Sequence, residues 1–315
     1  MMDRAADHPM GTSGRILVVA AILAKMAVSS VQAQPPSRQT DPPNATVLRD
    51  IAYVPDGHER QKFDLYLPKG PPKDGGRPLI VWVHGGAWLG GSKDNCPAVR
   101  FVSDGYAVAS INYRLSQHAI FPAQIQDCKA AIRWLRANAD THGIDPNRIG
   151  AWGASAGGHL VALLGTAGDV KDFDVGPHAG VSSRVQAVCD FFGPTDFTQM
   201  GKFPSSMDHD AADAPEAKLI GGPIPQNKDK AQRANPITYV TKDDPPFLIV
   251  HGDKDPLVPH NQSELLCDAL KAVGVSVVFY TVQGGGHGGF KDPQVDVLVT
   301  EFFKKQLKPT PPAQI

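Results

Sequence analysis

The segment I-G-A-W-G-A-S-A-G-G-H-L, residues 149–160, decides the interpretation of the fold. It places Ser155 in a Gly-x-Ser-x-Gly pattern, after residues 148–152 that favour a strand and before residues 156–164 that favour a helix. Such a strand–turn–helix exposes a serine as a nucleophile, and the sharp turn leaves no room for large neighbouring side chains. A Gly/Ser turn in an ordinary α/β protein would show the same letters, so the motif alone leaves both interpretations open.

Length and composition favour a globular α/β domain. The chain has 315 residues, of which 42% are hydrophobic and 20% charged, and this length fits one large domain. The formal net charge of −1 gives no electrostatic reason to expect nucleic acid or an anionic membrane as a partner. No Cys-x-x-Cys pair or Cys/His cluster indicates zinc. We therefore expect no metal and no other cofactor.

The first 33 residues are typical of an export signal. Arg15 precedes the apolar stretch 16–24, and Val31-Gln32-Ala33 is a small-residue site suited to signal peptidase. The apolar stretch is too short to span a bilayer, so no stable membrane anchor is expected. The sequence predicts a signal peptide at 1–33 and a secreted or periplasmic protein, with a disordered tail as the alternative.

Two Pro-rich segments border the region with regular periodicity. Residues 34–44 form a predicted leader and residues 309–315 a predicted disordered tail. Between them, residues 45–308 are predicted to form the catalytic domain.

The four cysteines fit either redox compartment. A disulfide between Cys96 and Cys128 is possible if the protein is exported. Cys189 and Cys267 are expected to be buried free thiols.

Strand and helix patterns alternate along the domain. Continuous apolar runs such as 78–84 are typical of strands buried on both faces, and alternation between strands and helices favours a mostly parallel sheet covered on both sides. We predict eight strands, of which the first two form an antiparallel pair. The predicted strands are 47–54, 61–67, 78–84, 106–113, 148–152, 185–192, 247–251 and 276–282, and the predicted helices are 122–139, 156–164, 261–273 and 295–307.

Residues 193–241, after the sixth strand, are the least regular part of the domain and are rich in Pro, Asp and Gly. Long irregular segments inside compact domains are usually functional, often as lids. We predict a cap or lid insertion over the carboxyl edge of the sheet. Asp190 and Asp196, near its start, could be polar contacts of a site, but capping and turn roles are equally well supported.

A second motif, His84-Gly85-Gly86-Ala87-Trp88, directly follows the third strand. Fixed backbone N–H groups stabilise the negative oxygen of a tetrahedral intermediate, and glycines let a backbone approach a substrate closely. The amides around Gly85, Gly86 and Ala87, together with that of Ala156, are the predicted oxyanion hole.

Two further motifs supply an acid and a base at strand ends. The run H-G-D-K-D-P-L-V-P, residues 251–259, offers Asp253 and Asp255 as carboxylates that could orient a catalytic imidazole. His287 lies among the glycines of 284–289, which provide no packing for a core histidine but suit a base on a loop. The chain order Ser, Asp, His is that of α/β-hydrolases.

With these four motifs in place, the chain resembles the α/β-hydrolase superfamily from residue 47 to residue 307. It is most similar to the acetyl-xylan/feruloyl esterase-like (BD-FAE-like) branch, near the hormone-sensitive-lipase and carboxylesterase groups. The resemblance rests on H-G-G-A-W (84–88), I-N-Y-R-L (111–115), F-P-A-Q-I-Q-D (121–127), G-A-S-A-G-G-H-L (153–160), G-P-T-D (193–196), 251–259 and G-H-G (286–288). It implies that Asp255 is the triad carboxylate, beside Ser155 and His287.

The resemblance implies a serine carboxylesterase that acts through an acyl-enzyme on short-chain esters, with acetyl or feruloyl esters of plant polysaccharides as the natural context. The alternatives are an arylformamidase-like amidase, against which the export signal argues, and a prolyl-oligopeptidase-type peptidase. The chain is too short for the propeller of such peptidases, and Ala156 stands where they usually have tyrosine. A non-enzymatic scaffold on the same fold is a third alternative.

Four aromatic residues near the motifs are candidates for the wall of a substrate pocket: Trp88, Phe121, Phe191 and Phe192. Aromatic residues on strands and helices more often belong to the core. The sequence does not determine the acyl group, the alcohol or the oligomeric state.

Overall fold

A computed structural model describes residues 38–72 and 75–308. The predicted signal peptide at 1–33, the first residues of the predicted leader and the predicted tail at 309–315 lie outside the described residues. Within the described ranges, no helix has both the length and the apolar character needed to cross a membrane.

The described chain forms one eight-stranded sheet with the order β1-β2-β4-β3-β5-β6-β7-β8. β1 pairs with β2, and β2 with β4, in antiparallel fashion, whereas the remaining neighbours are parallel. The mostly parallel sheet and the antiparallel first pair are confirmed. The strands are β1 Ala45–Ala52, β2 Lys62–Pro68, β3 Arg77–Val83, β4 Ala107–Ile111, β5 Ile144–Ala154, β6 Ala187–Phe191, β7 Phe247–Gly252 and β8 Val277–Val282.

Within the described ranges, eight α-helices and four short 3₁₀ helices lie between or after these strands. The α-helices are α1 Ala123–Ala137, α2 Ala139–His142, α3 Ala156–Thr166, α4 Phe197–Met200, α5 Pro215–Ile220, α6 Lys228–Ala234, α7 Asn261–Ala272 and α8 Pro293–Leu307. The 3₁₀ helices are Pro97–Asp104, Lys171–Phe173, Ile224–Gln226 and Pro236–Tyr239. Pro122 precedes α1 instead of opening it, so the first long helix begins one residue later than its pattern predicts.

The sheet is covered on both faces, which explains why β3 and β4 are buried along their whole length. One hydrophobic core contains residues of α1, α3 and α7, and the other contains residues of the 3₁₀ helix Pro97–Asp104 and of α8. The carboxyl ends of the parallel strands meet at one edge of the sheet, where α/β proteins place their ligand sites.

The possible disulfide between Cys96 and Cys128 is wrong. Both cysteines are buried free thiols, and they belong to the two different cores. Because the sheet separates these cores, the sulfur atoms cannot meet. Cys189 and Cys267 are also buried and free.

The described part of the predicted leader, residues 38–44, makes defined contacts with the domain. Arg38 Nε lies 2.7 Å from Asp94 Oδ1, and Gln39 Oε1 accepts a hydrogen bond from the amide of Cys96. The Pro-rich composition of this stretch therefore does not prevent it from packing.

The insertion 193–241 lies between β6 and β7, as predicted, but it is more regular than its composition indicates, since it contains α4, α5 and α6. Asp196 caps α4 by accepting from the amide of Thr198, and Asn235 Nδ2 donates to the same carboxylate. Asp196 thus has the capping role. Tertiary hydrogen bonds of this kind hold helices that are too short to be stable alone.

Candidate active site

Ser155 stands at the junction of β5 and α3 with φ 57° and ψ −123°, a strained conformation for a residue with a side chain. The turn closes this tightly because its flanking glycines lack Cβ atoms. A Cβ on Gly153 would lie 2.2 Å from the carbonyl oxygen of Gly157, and one on Gly157 would lie 2.1 Å from that of Val83. The tight turn places Ser155 between the end of β5 and the start of α3.

Three side chains from different loops form one chain of hydrogen bonds. His287 Nδ1 lies 2.7 Å from Asp255 Oδ2, and His287 Nε2 lies 3.0 Å from Ser155 Oγ. Because the carboxylate can only accept, the Nδ1–H donates to it, and Nε2 is left to accept the serine proton. The structure therefore brings together all three residues predicted for the triad, with the imidazole in the tautomer of a general base.

Asp255 is the carboxylate of this chain. Its Oδ1 accepts from the amides of Leu257 and Val258, and its Oδ2 accepts from His287 and from His251 Nε2 at 3.2 Å. Burial alone would raise the pKa of Asp255, but the hydrogen bonds from the two histidines outweigh burial and hold the pKa below its usual range.

The second carboxylate candidate, Asp253, has a different position. Its Oδ1 accepts from the amide of Gly284 at 2.6 Å, so it ties the end of β7 to the start of the loop that carries His287.

His251 is a residue of the site that sequence reasoning missed. Its Nε2–H donates to Asp255 and to the carbonyl of Val258, and its Nδ1 accepts from Ser263 Oγ at 2.7 Å. Burial lowers the pKa of His251, in keeping with a neutral ring. The spacing of four residues between His251 and Asp255 was the available signal, but it did not indicate a contact.

The ring of Phe192 packs against the imidazole of His287. Its ring centroid lies 4.6 Å from that of His287, at an interplanar angle of 57°. Phe192 is buried and does not line the cavity beside Ser155. It is therefore a packing surface for the imidazole and not, as predicted, a wall of the substrate pocket.

The loop after β3 supplies the candidate oxyanion donors. Ala87 and Ala156 line the same cavity as Ser155, whereas Gly85 and Gly86 are not among its lining residues. Within the described part of the chain, the amides of Gly86 and Ala87 donate to no protein acceptor. The arrangement supports Ala87 and Ala156 as donors more directly than it supports the two glycines.

His84 fixes the start of this loop through hydrogen bonds of its ring. Arg60 can only donate, so His84 Nε2, 3.1 Å from Arg60 Nη2, accepts, and the Nδ1–H of His84 donates to the carbonyl of Gly85 at 2.7 Å. Burial lowers the pKa of His84 to about 3, which keeps this ring neutral. Tyr113 stacks on the ring and donates to the carbonyl of His84.

A cavity of about 60 Å³ adjoins Ser155. Trp88 is the only one of the four predicted aromatic pocket residues that lines it. Its other walls come from the triad loops and from the insertion, in keeping with a cap over the sheet edge. The lining residues are Ala87, Trp88, Ser155, Ala156, Pro194, Met207, His209, Pro215, Glu216, Leu257, Val258 and His287.

Phe121 and Phe191 are wrong as pocket residues. Phe121 packs edge-on against Phe173 in the core that contains α1. Phe191 points to the opposite face of the sheet, where it contacts Trp152 and Phe290. Side chains alternate between the two faces along a strand, and the sequence of β6 does not indicate which face borders the site.

The cap contributes two buried polar residues that sequence reasoning also missed, His209 and Glu216. Both line the cavity, and His209 Nδ1 lies 3.3 Å from Glu216 Oε1. Among the residues that the structure describes, no group of three or more His, Cys, Asp or Glu side chains is placed to hold a metal ion.

A family model described as BD-FAE matches residues 63–270, about two thirds of the chain. Esterase LipC of Mycobacterium tuberculosis is 31% identical over 283 residues, which cover 86% of this chain and 68% of LipC. The chain spans only 58% and 53% of the length of two further mycobacterial esterases that it matches.

Solved structures of esterases share the architecture. A truncated carbohydrate esterase from gut microbiota is 37% identical, with a TM-score of 0.78, and the match covers 86% of this chain and 99% of that one. An acetyl ester-xyloside bifunctional hydrolase from Caldicellulosiruptor lactoaceticus is 27% identical, with a TM-score of 0.60, and the match covers 76% and 85% of the two chains.

Proposed function

Because the chain belongs to the BD-FAE family of α/β-hydrolase esterases, we propose that it hydrolyses short-chain acyl esters of carbohydrates through an acyl-enzyme on Ser155. The observation that carries this proposal is the hydrogen-bonded chain from Asp255 through His287 to Ser155, which opens onto a small cavity.

The first half of the reaction forms the acyl-enzyme. His287 Nε2 takes the proton of Ser155 Oγ as the oxygen attacks the ester carbonyl carbon, and the carbonyl oxygen becomes negatively charged. The amides of Ala87 and Ala156 stabilise that charge, and each such donor contributes about 2.7–4 kcal/mol to the transition state. Collapse of the intermediate breaks the ester C–O bond, and the protonated His287 gives its proton to the departing alcohol.

The second half releases the acid. His287 takes a proton from a water molecule, which attacks the acyl carbon through the same oxyanion site. Return of the proton to Ser155 Oγ breaks the acyl–enzyme bond. Asp255 stays ionised throughout and stabilises the imidazolium, in keeping with its lowered pKa.

The size of the cavity supports a short acyl group. One water site needs about 10–15 Å³, so a cavity of about 60 Å³ accepts a group of only a few non-hydrogen atoms. An acetyl group meets this limit, whereas the aromatic ring and side chain of a feruloyl group exceed it. We therefore propose acetyl in preference to feruloyl esters.

The carbohydrate alcohol is supported by the two solved structures, whose titles name a carbohydrate esterase and an acetyl ester-xyloside hydrolase. The amidase and peptidase alternatives have no comparable support, since the similar proteins reported above are named as esterases or hydrolases of esters.

A chain-length series of p-nitrophenyl esters from acetate to octanoate, run beside acetylated xylan and methyl ferulate, tests the proposal. We expect the highest kcat/KM with acetate, release of acetate from xylan, and loss of turnover in Ser155→Ala. Met207→Ala shortens a side chain that lines the cavity. The cavity becomes larger, so the acyl chain length with the highest kcat/KM should increase. Activity confined to long acyl chains, or full activity in Ser155→Ala, would overturn it.

We also propose that the protein is exported to the periplasm or the medium. The support is the apolar stretch 16–24 with the cleavage site Val31-Gln32-Ala33. Amino-terminal sequencing of the protein recovered from outside the cytoplasm should give Gln34 as the first residue. Recovery of uncleaved protein from the cytoplasm alone would contradict export.

A further inference from the structure

The cap presents a buried pair of ionisable residues, His209 and Glu216, in the wall of the cavity that Ser155 also lines. The two residues are only 2% and 3% exposed. Burying charged groups costs free energy unless they are paired and hydrogen-bonded. Because both residues line the same cavity as the proposed nucleophile, they are placed to contact a substrate as well as to stabilise the cap.

The pair is not fully satisfied within the described part of the protein. Glu216 Oε2 is buried and accepts no hydrogen bond, and His209 Nδ1 is near Glu216 Oε1 but not aligned as a hydrogen bond. The indole N–H of Trp88, on the same cavity, is also buried without an acceptor. Unpaired buried polar atoms are uncommon in proteins, and three of those in the described residues belong to Trp88, His209 and Glu216, which line this one cavity.

The protonation of His209 follows from its contacts. Ser205 Oγ donates toward the carbonyls of Pro256 and Leu257, so it accepts from His209 Nε2–H at 3.0 Å. A neutral ring would then turn the lone pair of Nδ1 toward the Glu216 carboxylate, whereas a protonated ring offers it an N–H. Burial alone would lower the pKa of His209, but the Glu216 carboxylate outweighs burial and the pKa is raised.

We propose that Glu216 and His209 form a subsite that recognises a hydroxyl group on the carbon next to the ester-bearing carbon of the substrate. Glu216 Oε2 accepts from this hydroxyl, while the imidazolium of His209 lies against Oε1, the other oxygen of the same carboxylate. The inference rests on the proposed ester hydrolysis at Ser155 and specifies its alcohol: a polyol or sugar monoester with a vicinal hydroxyl.

The chemistry of the wall favours such an alcohol over an apolar one. A site built to hydrogen-bond a substrate hydroxyl rejects an analogue that lacks the hydroxyl, because the polar groups of the site are then left unpaired. The cavity is too small for a sugar ring, so only the groups nearest to the scissile bond enter it. A vicinal hydroxyl is the polar group that every ring-acetylated sugar with one free neighbouring position offers there.

Two esters that differ by one hydroxyl test this subsite: cyclohexyl acetate and the monoacetate of trans-1,2-cyclohexanediol. We expect the unchanged enzyme to prefer the diol monoacetate in kcat/KM by about 10- to 100-fold, the range of one hydrogen bond to a charged group. In Glu216→Gln, whose neutral carbonyl oxygen is a weaker acceptor than a carboxylate, this preference should fall to a few-fold, mainly through KM. His209→Gln, which removes the cation, is the second variant and carries the test if Glu216→Gln does not fold.

Asp213→Asn is the matched control, since Asp213 is an exposed carboxylate of the same insertion, and it should keep the preference of the unchanged enzyme. An equal loss of rate on both esters in Glu216→Gln would mean that the pair only supports the cap, and would overturn the subsite. If the unchanged enzyme hydrolyses the two esters with equal kcat/KM, the proposed subsite is overturned as well. Failure of the enzyme to hydrolyse p-nitrophenyl acetate as well would instead overturn the proposed function.

Discussion

His287 Nδ1 lies 2.7 Å from Asp255 Oδ2, although the two residues are 32 positions apart in the chain. They meet because β7 and β8 are parallel neighbours, so that the loops after both strands emerge at the same edge of the sheet. The contact fixes the proton of His287 on Nδ1 and leaves Nε2 facing Ser155.

Asp255→Asn should leave the fold intact and lower kcat by about 10⁴-fold. The amide would donate to His287 Nδ1, which favours the tautomer with the proton on Nε2, and that nitrogen could then no longer accept from Ser155. Steady-state kinetics with p-nitrophenyl acetate measure the loss. Asp253→Asn is the control, since its carbonyl oxygen can still accept from Gly284, and it should stay near the unchanged rate. A small effect of Asp255→Asn would contradict the role of Asp255.

His251→Phe should lower kcat/KM by about 10-fold, because the carboxylate of Asp255 loses one donor and a hydrogen bond to a charged group contributes about 1.5–3 kcal/mol. The pKa of Asp255 should rise toward its usual range, since His251 is one of the groups that lower it. Acid unfolding should therefore begin at a higher pH than in the unchanged protein, because a lowered carboxylate pKa stabilises the folded state in the acid range. A reduced rate with unchanged acid unfolding would mean that His251 does not act through the Asp255 carboxylate.

Gly157→Ala should destabilise the protein strongly, because its Cβ would stand 2.1 Å from a carbonyl oxygen of β3 and neither backbone can move freely. Overpacking of this kind costs about 1–3 kcal/mol or more. The matched control is Gly180→Ala, where a Cβ meets nothing within 4 Å and φ is not positive. Thermal unfolding compares the two variants. Equal melting temperatures would contradict the close packing of the Ser155 turn against β3.

Asp190→Asn should change how stability depends on pH. Asp190 is buried, its Oδ2 has no partner within the described residues, and burial raises its pKa to about 7. Because the folded pKa lies above the unfolded value of about 3.9, the folded state holds the proton more tightly. The resulting stability is complete below about pH 4 and is lost as pH rises toward about 7.

The asparagine variant has no such proton, so its stability relative to the unchanged protein should increase between about pH 4 and pH 7, by an amount on the order of 3–4 kcal/mol. Urea unfolding at several pH values measures the difference. Asp213→Asn, on the exposed surface, should show a constant difference. A pH-independent difference for Asp190→Asn would refute the raised pKa.

The sequence was sufficient for the sheet and the triad because their signals are local. Strands buried on both faces appear as unbroken apolar runs. The residues at the carboxyl ends of parallel strands lie at one edge of the sheet, and this does not depend on the conformation of the loops. Ser155, Asp255 and His287 could therefore be assigned to one place without coordinates.

The cap and the pocket wall could not be predicted in the same way. Helices of four to seven residues such as α4 and α6 depend on tertiary contacts like that of Asn235 with Asp196, which leave no periodic pattern. The face of the sheet that a side chain occupies decided the position of Phe191 and of the two cysteines, whereas Phe121 packs against Phe173 within the core that contains α1. His209 and Glu216 meet only because the insertion folds back on itself.

Covalent labelling of the native protein with a fluorophosphonate, followed by peptide mass spectrometry, tests the central assignment most directly. We predict one adduct, on the peptide that contains Ser155, in proportion to the loss of esterase activity, with labelling greatly slowed in His287→Ala. Labelling of a different serine, or full esterase activity after stoichiometric labelling of Ser155, would contradict the assignment of Ser155 as the nucleophile.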